Sequence, residues 1–289
     1  MKFYCIFKNH QKITKDLLKK SVLDKGLDFI EVLSDDFKFY EDFFSESEKK
    51  EEAILYRIAS GQQAKNVENQ LLIENKNLIT FYKDNRDAFF GVKDIDLQKF
   101  YNIPIIETIS HISSVNIDYL NGCIKKLGGF PVIIKVTGKS HGEGVMKIES
   151  MNSLISVLGF LKKMNVGNMI LRRFIDSYRH ARMIVIGEKV VDSIEYIVPE
   201  NDFRTNAGDP VVRAEKFPES FEEIAIKAVN SMNIEFGGVD VLIDKDNKPH
   251  LAEVNFPCYF PRNQLTTSCD VSGMMVDFLI SKAKKDDKK

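Results

Sequence analysis

Two carboxylates and an amide carry the clearest chemical signal in the chain. The stretch GGVDVLIDKDNKPHLAEVNFP, residues 237–257, holds two strand-like runs flanking Lys245-Asp246-Asn247-Lys248. A two-residue turn at Asp246-Asn247 pairs Lys245 with Lys248 and so sets Asp240 directly opposite Glu253. Strand alternation puts Asn255 on the same face. Directly opposed side chains have Cβ atoms about 4.5–5.5 Å apart, so the two carboxylates repel unless a positive charge lies between them. Oxygen ligands from Asp, Glu and Asn suit Mg²⁺, which takes one or two carboxylates together with substrate phosphates. The other face reads Val239, Val241, Ile243, Ala252 and Val254, a core face. An ordinary surface hairpin is the competing reading, against which stands the position of Asp240 and Glu253 in the most apolar part of each strand.

A second constellation is PVIIKVTGKSHGEGV, residues 131–145. A strand-like run delivers Lys135, and Gly138, Gly142 and Gly144 follow before the next strand starts at Val145. Glycines at this density admit positive φ and let backbone N–H groups approach an anion, while a strand-end lysine supplies a compact positive charge. The lysine precedes the glycines, so this is not a P-loop, and no helix follows as in a dinucleotide fingerprint. A flap closing over a nucleotide and a mobile hairpin with an incidental lysine both fit. Between these two regions lie Arg182 and the stretch NDFRTNAGD with Arg204 and Asn206, and arginine is the side chain best suited to grip phosphate or carboxylate.

Three kinds of element are needed to position these groups. KFYCIFK, LDFIEVL, AILYRIA and NLITFY read as strands separated by helix-like stretches, which predicts a small parallel α/β sheet at the N-terminus. The intervening EDFFSESEKKEE, residues 41–52, reads as a solvated loop or helix face. VKDIDLQKFYN reads as a helix ending at Ile103-Pro104, followed by IIETIS, a helix over VNIDYLNGCIKKLGG, the strand FPVIIKV, the glycine loop, GVMKI, a helix over NSLISVLGFLKKM and NMILRRFI. Beyond Asp176 the chain is mostly strand-like, with one helix at FEEIAIKAVNSMN and a last one at GMMVDFLISKAKK.

Lys+Arg number 41 against 42 Asp+Glu, a formal net charge of −1, which argues against a protein that coats nucleic acid or an anionic membrane. The content of 44% hydrophobic residues with 21 Phe supplies substantial cores. Cys5, Cys123, Cys258 and Cys269 form no CxxC pair, so reduced thiols in a cytoplasmic setting are expected, Cys258 as a buried one. No HExxH or Cys/His cluster points to zinc. The N-terminus lacks a signal peptide's apolar run, and no stretch approaches the roughly 20 apolar residues of a membrane span.

The order of lysine-bearing strand, glycine flap, Arg182, NDFRTN, GGVDVLI and LAEVNFP resembles the ATP-grasp superfamily, in the branch of ribosomal-protein glutamate ligases and lysine-biosynthesis carrier-protein ligases. The resemblance covers roughly residues 53–285. It implies α/β (α+β lobes): an ATP-grasp fold with an N-terminal α/β pre-grasp domain (1–84), linker helices with a central lid subdomain (85–175) and a C-terminal subdomain (176–289). Asp240, Glu253 and Asn255 would hold two Mg²⁺ ions, with Mn²⁺ as a substitute. Lys135, Gly138, Ser140, His141, Gly142 and Gly144 would contact the phosphates of ATP, and the backbone at Arg173, Phe174 and Ile175 would receive adenine. Arg182 and Arg204 would support phosphate and substrate carboxylate as catalytic residues.

The chain departs from the family pattern in places. Ala88 stands where a lysine is usual, with Lys93 as the alternative; Arg172 and Arg173 stand at the hinge; His180 is the residue left to meet the ribose. Arg57 is placed either at the cleft or at the surface, and Tyr259, Phe260 and Arg262 in a loop on the substrate side, Arg262 holding a carboxylate. The activity implied is an ATP-dependent ligation of a small-molecule or peptide carboxylate to an amine through an acyl phosphate, by a homodimer or homotetramer. A kinase on the same scaffold and a nucleotide-binding regulatory protein without turnover are the alternatives.

Overall fold

The computed structural model describes residues 1–90, 101–110, 112, 115–136, 143–166, 168–205, 208 and 210–286. At the N-terminus, β1 (Lys2–Phe7), α1 (Lys12–Asp24), β2 (Asp28–Leu33), β3 (Ala53–Arg57), α2 (Gln62–Glu74) and β4 (Leu78–Ile79) build a parallel sheet in the order β2-β1-β3-β4. Parallel strands are buried on both faces, and β1 shows it: Tyr4 and Ile6 enter one core, Phe3, Cys5 and Phe7 another. In the acidic and lysine-rich segment 41–52 most charged side chains face solvent, but Phe44 is buried and the Phe43 and Phe44 N–H groups donate to Glu74 Oε2 at 2.8 and 3.1 Å. The segment is therefore pinned to α2 rather than merely solvated. After β4 comes the short α3 (Asp87–Phe90), and the helix expected over VKDIDLQKFYN lies almost wholly outside the described residues.

The second sheet is antiparallel. It contains β5 (Thr108–Ile109), β6 (Val132–Val136), β7 (Val145–Ile148) and β8 (Met169–Arg173) in the order β5-β8-β6-β7. Helices α4 (Ile117–Leu127) and α5 (Met151–Lys163) share a core with it. Asn116 caps α4 by accepting from Asp118 and Tyr119 N–H, and Ser150 caps α5 by accepting from Ser153 N–H. Leu120, Leu127, Leu154 and Leu158 meet Val132, Ile134 and Leu171 there.

The third sheet, also antiparallel, runs β11-β10-β9-β12-β13, from β9 (Ser177–Ile186), β10 (Lys189–Tyr196), β11 (Val212–Ala214), β12 (Phe236–Asp244) and β13 (Pro249–Asn255). One face carries Ala181, Met183, Val239 and Val241 into the core with Phe221, Ala225 and Val229 of α6 (Glu219–Ser231). The other face carries Ile184, Ile186 and Phe236 against Val271, Met275 and Leu279 of α8 (Val271–Asp286), which follows the short α7 (Pro261–Thr267). The first and third sheets share both of these cores. Among the described residues no helix is long and apolar enough to cross a membrane.

Candidate functional site

On the α8 side of the third sheet, alternation turns an apolar face polar. Along β9 the residues of that face are Ile186, Ile184, Arg182 and His180; along β12 they are Phe236, Gly238 and Asp240. Asp240 pairs in register with Arg182 on one side and Glu253 on the other. The pairing with Glu253 is reached by a route that differs from a two-residue turn. Lys248 O accepts from Asp244 N–H and Asn247 sits at φ 59°, so the loop is one residue longer. Val241 then pairs with Leu251, and a β-bulge at Ala252 restores the register so that Asp240 meets Glu253. Leu251, rather than Ala252, is accordingly the fully buried residue of that strand.

Asp240 is 3% exposed and collects three donors. Arg182 Nη1 lies 2.7 Å from Oδ2, Asn255 Nδ2 3.0 Å from Oδ2, and His180 Nε2 3.3 Å from Oδ1. Burial alone would raise the Asp240 pKa; the Arg182 guanidinium and His180 outweigh it and hold the carboxyl below its ordinary value. Burial likewise opposes the charge on Arg182, and Asp240 more than restores it. Gly238 makes the arrangement fit: a Cβ there would stand 2.5 Å from Arg182 Nη2 and 2.5 Å from Cys258 Sγ. Cys258 is buried, as expected, and burial raises its pKa against the pull of Arg182.

The second sheet reaches the same point with two cations. Lys135 Nζ of β6 is 2.6 Å from Glu253 Oε2. Arg172 of β8 donates from Nη1 to Ala252 O at 3.0 Å, landing on the bulged residue, and from Nε to Thr108 Oγ1 at 3.0 Å. Burial pulls Arg172 below its ordinary pKa, against the opposing effect of Glu253. Asn255 Nδ2 also lies 3.2 Å from Glu253 Oε1, so Asp240, Glu253 and Asn255 converge. Turning the amide exchanges its nitrogen for oxygen and gives three oxygen donors of the kind a hard divalent cation takes. The donor set fits such a cation. Among the described residues no three His, Cys, Asp or Glu side chains form a metal-ligating group, so the two carboxylates require phosphate or water to complete a shell.

Of the remaining expected residues, Gly138, Ser140, His141 and Gly142 lie outside the described residues, as do Lys93 and Asn206. Gly144, at φ 72°, accepts from Val136 N–H at the end of the β6–β7 pairing. Arg173 is exposed, Ile175 buried, and Phe174 lies edge-on to Phe203 with the Lys147 ammonium 4.7 Å from its ring centroid. Arg204 pairs with Asp202 at 2.7 Å and is connected to the carboxylates through its neighbour Thr205, which hydrogen-bonds His180 Nδ1.

Four expectations need correction. His180 is 3% exposed and turned to Asp240, so its ring does not stand open to a ribose. Arg57 faces neither cleft nor solvent: it is buried, 2.9 Å from Glu68, which also accepts from the Tyr82 hydroxyl at 3.1 Å. Ala88 lies in a core that has no room for a lysine's charge. Phe260 is fully buried and Arg262 stands on α7, not in a loop, with its guanidinium 5.7 Å from the Tyr196 ring centroid. The contacts of His180, Arg172 and Gly238 were not anticipated; for His180 the signal was present, since it precedes Arg182 by one alternation on the same strand face.

The RimK-like ATP-grasp domain family matches residues 97–279. A curated relative from Legionella pneumophila (strain Corby), named probable alpha-L-glutamate ligase, is 30% identical over 165 residues, covering 56% of this chain and 54% of that one. The chain thus matches about half the length of such relatives. Among solved structures, D-cycloserine synthetase DcsG superimposes with TM-score 0.74 at 12% identity over 98% of this chain and 100% of that one. ATP-grasp ligase PsnB, complexed with minimal precursor, Mg and ADP, gives TM-score 0.73 at 12% identity over 97% of each chain. These likenesses establish the ATP-grasp fold.

Proposed function

Because the chain belongs to the RimK-like ATP-grasp family, we propose that it is an ATP-dependent ligase joining a small-molecule or peptide carboxylate to an amine. The observation that carries the reading is one line of side chains, Lys135, Glu253, Asn255, Asp240 and Arg182, each within hydrogen-bonding distance of the next, in which two carboxylates bridged by an amide are flanked by a cation at either end. Such a line suits phosphoryl transfer, which needs charge neutralisation and positioning more than covalent chemistry by the protein. A substrate carboxylate oxygen attacks the γ-phosphorus as the bridging P–O bond breaks and ADP leaves. The amine then attacks the acyl carbon, the C–O bond to phosphate breaks, and the amine proton is lost.

In this reading Lys135 and Arg182 face phosphate oxygens and Arg204 the substrate side. Residues 173–175 carry the adenine, and the flap 138–144 covers the phosphates. Asp240, Glu253 and Asn255 would hold Mg²⁺, two ions or Mn²⁺ in their place, which would neutralise phosphate charge. The division at residues 84 and 175, a cytoplasmic location and a homodimer or homotetramer belong to the same reading. PsnB, also solved with precursor peptide PsnA2 and AMPPNP, supports a peptide among the carboxylate substrates to be tried. The test is ADP release by the full chain with a panel of carboxylates and amines, with hydroxylamine trapping the acyl phosphate. ADP release that requires both substrates supports the ligase; a stable phosphorylated product formed without amine replaces it with a kinase.

A further inference from the structure

We propose that His180 is a positioning residue that orients the Asp240 carboxylate and ties it to the segment carrying Arg204. The inference rests on the ligase reading, in which Asp240 binds the cation. The two oxygens of Asp240 have different partners: Oδ2 takes Arg182 and Asn255, whereas Oδ1 takes His180 Nε2 at 3.3 Å. The imidazole is itself fixed on three sides. It lies between β10 and β12, in register with Tyr196 and Leu242. Its ring packs 4.7 Å from Tyr196 at 30°, and Nδ1 is hydrogen-bonded to the buried Thr205 hydroxyl.

An ionised carboxylate only accepts, so Nε2 donates to Asp240. The Thr205 hydroxyl holds the other ring nitrogen and so fixes the rotation that aims Nε2 at Asp240. Thr205 follows Arg204 directly, so the placement of the Arg204 segment and the aim of a cation ligand are one arrangement. Hydrogen-bond partners of ligating carboxylates typically govern metal affinity by about 10–100-fold.

The test is Mn²⁺ binding to the full-length chain with ADP present, read by electron paramagnetic resonance, for His180→Gln, His180→Asn and Thr205→Val, with thermal unfolding of each. Glutamine reproduces the reach of Nε2 to Asp240; asparagine reproduces only the Nδ1 side. The expected result is near wild-type affinity for His180→Gln, about 10-fold weaker binding for His180→Asn, and a weakening for Thr205→Val, whose residue makes no contact with the carboxylate. Wild-type affinity in both folded His180→Asn and Thr205→Val overturns the proposal, as does equal weakening by Gln and Asn. A wild-type chain that binds no Mn²⁺ with ADP overturns the ligase reading instead.

Discussion

Lys135 Nζ stands 2.6 Å from Glu253 Oε2, so a strand of the second sheet and the outermost strand of the third meet through one charge pair. With the Glu253 side chain 34% exposed, the pair contributes only about 0–1 kcal/mol to stability. Its value is positional: it brings a positive charge to a carboxylate that already faces another. Lys135→Met is expected to leave the melting temperature within a few degrees and to lower turnover, measured as ADP release, by about 10²–10³. A loss below tenfold counts against a phosphate role for Lys135.

Asp240 and Glu253 differ in what their removal exposes. Asp240→Asn leaves the buried Arg182 guanidinium without its charge partner, a change that costs about 3–5 kcal/mol in denaturant unfolding. Glu253→Gln, at a half-exposed position, is expected to cost under about 1 kcal/mol. It is nevertheless expected to abolish turnover, measured as ADP release, while nucleotide binding persists. Equal loss of both functions in Glu253→Gln would make its role structural.

Gly238 is a packing requirement of the site. Its replacement by alanine forces a methyl group against Arg182 and Cys258, with an overpacking cost of about 1–3 kcal/mol. Because the displaced group is Arg182, Gly238→Ala should also reduce turnover. Unchanged unfolding and turnover would show that the guanidinium has another place to go.

Glu195, 3% exposed, is held by Arg179 Nε and Arg213 Nη2, each at 2.6 Å. Burial raises its pKa, but the two guanidiniums outweigh burial and leave it below the usual carboxylate value. The unfolded chain therefore binds the proton more readily, so the stabilisation is complete above the unfolded value and disappears as pH falls through the folded one. Urea midpoints should fall between about pH 5 and pH 3, and Glu195→Gln should flatten that slope. A variant with the wild-type slope assigns the acid sensitivity elsewhere.

The strands were readable because their apolar runs are bounded by turn residues, and the Asp240–Glu253 pairing because a count from a two-residue turn ends at the same partner as the true path. The longer loop at Asn247 and the bulge at Ala252 were not readable, since the two irregularities cancel and leave no trace in the spacing. Arg57 looked like a residue at a strand end; only the fold brings Glu68 and Tyr82 to it. The contact of Arg172 with Ala252 O joins residues far apart in sequence through a backbone carbonyl, which no residue type announces.

β13, which carries Glu253 and Asn255, is the last strand of its sheet. Ile105 forms a parallel bridge with Leu251, Leu251 N–H donates to Pro104 O, and Arg172 takes the carbonyl of Ala252. The chain thus covers its own sheet margin at the strand where an added strand from another molecule would block the carboxylates. A fragment beginning at residue 176 would lose that cover and present a ready template for strand addition. Strand addition there would close access to Glu253 and Asn255 while leaving both side chains intact.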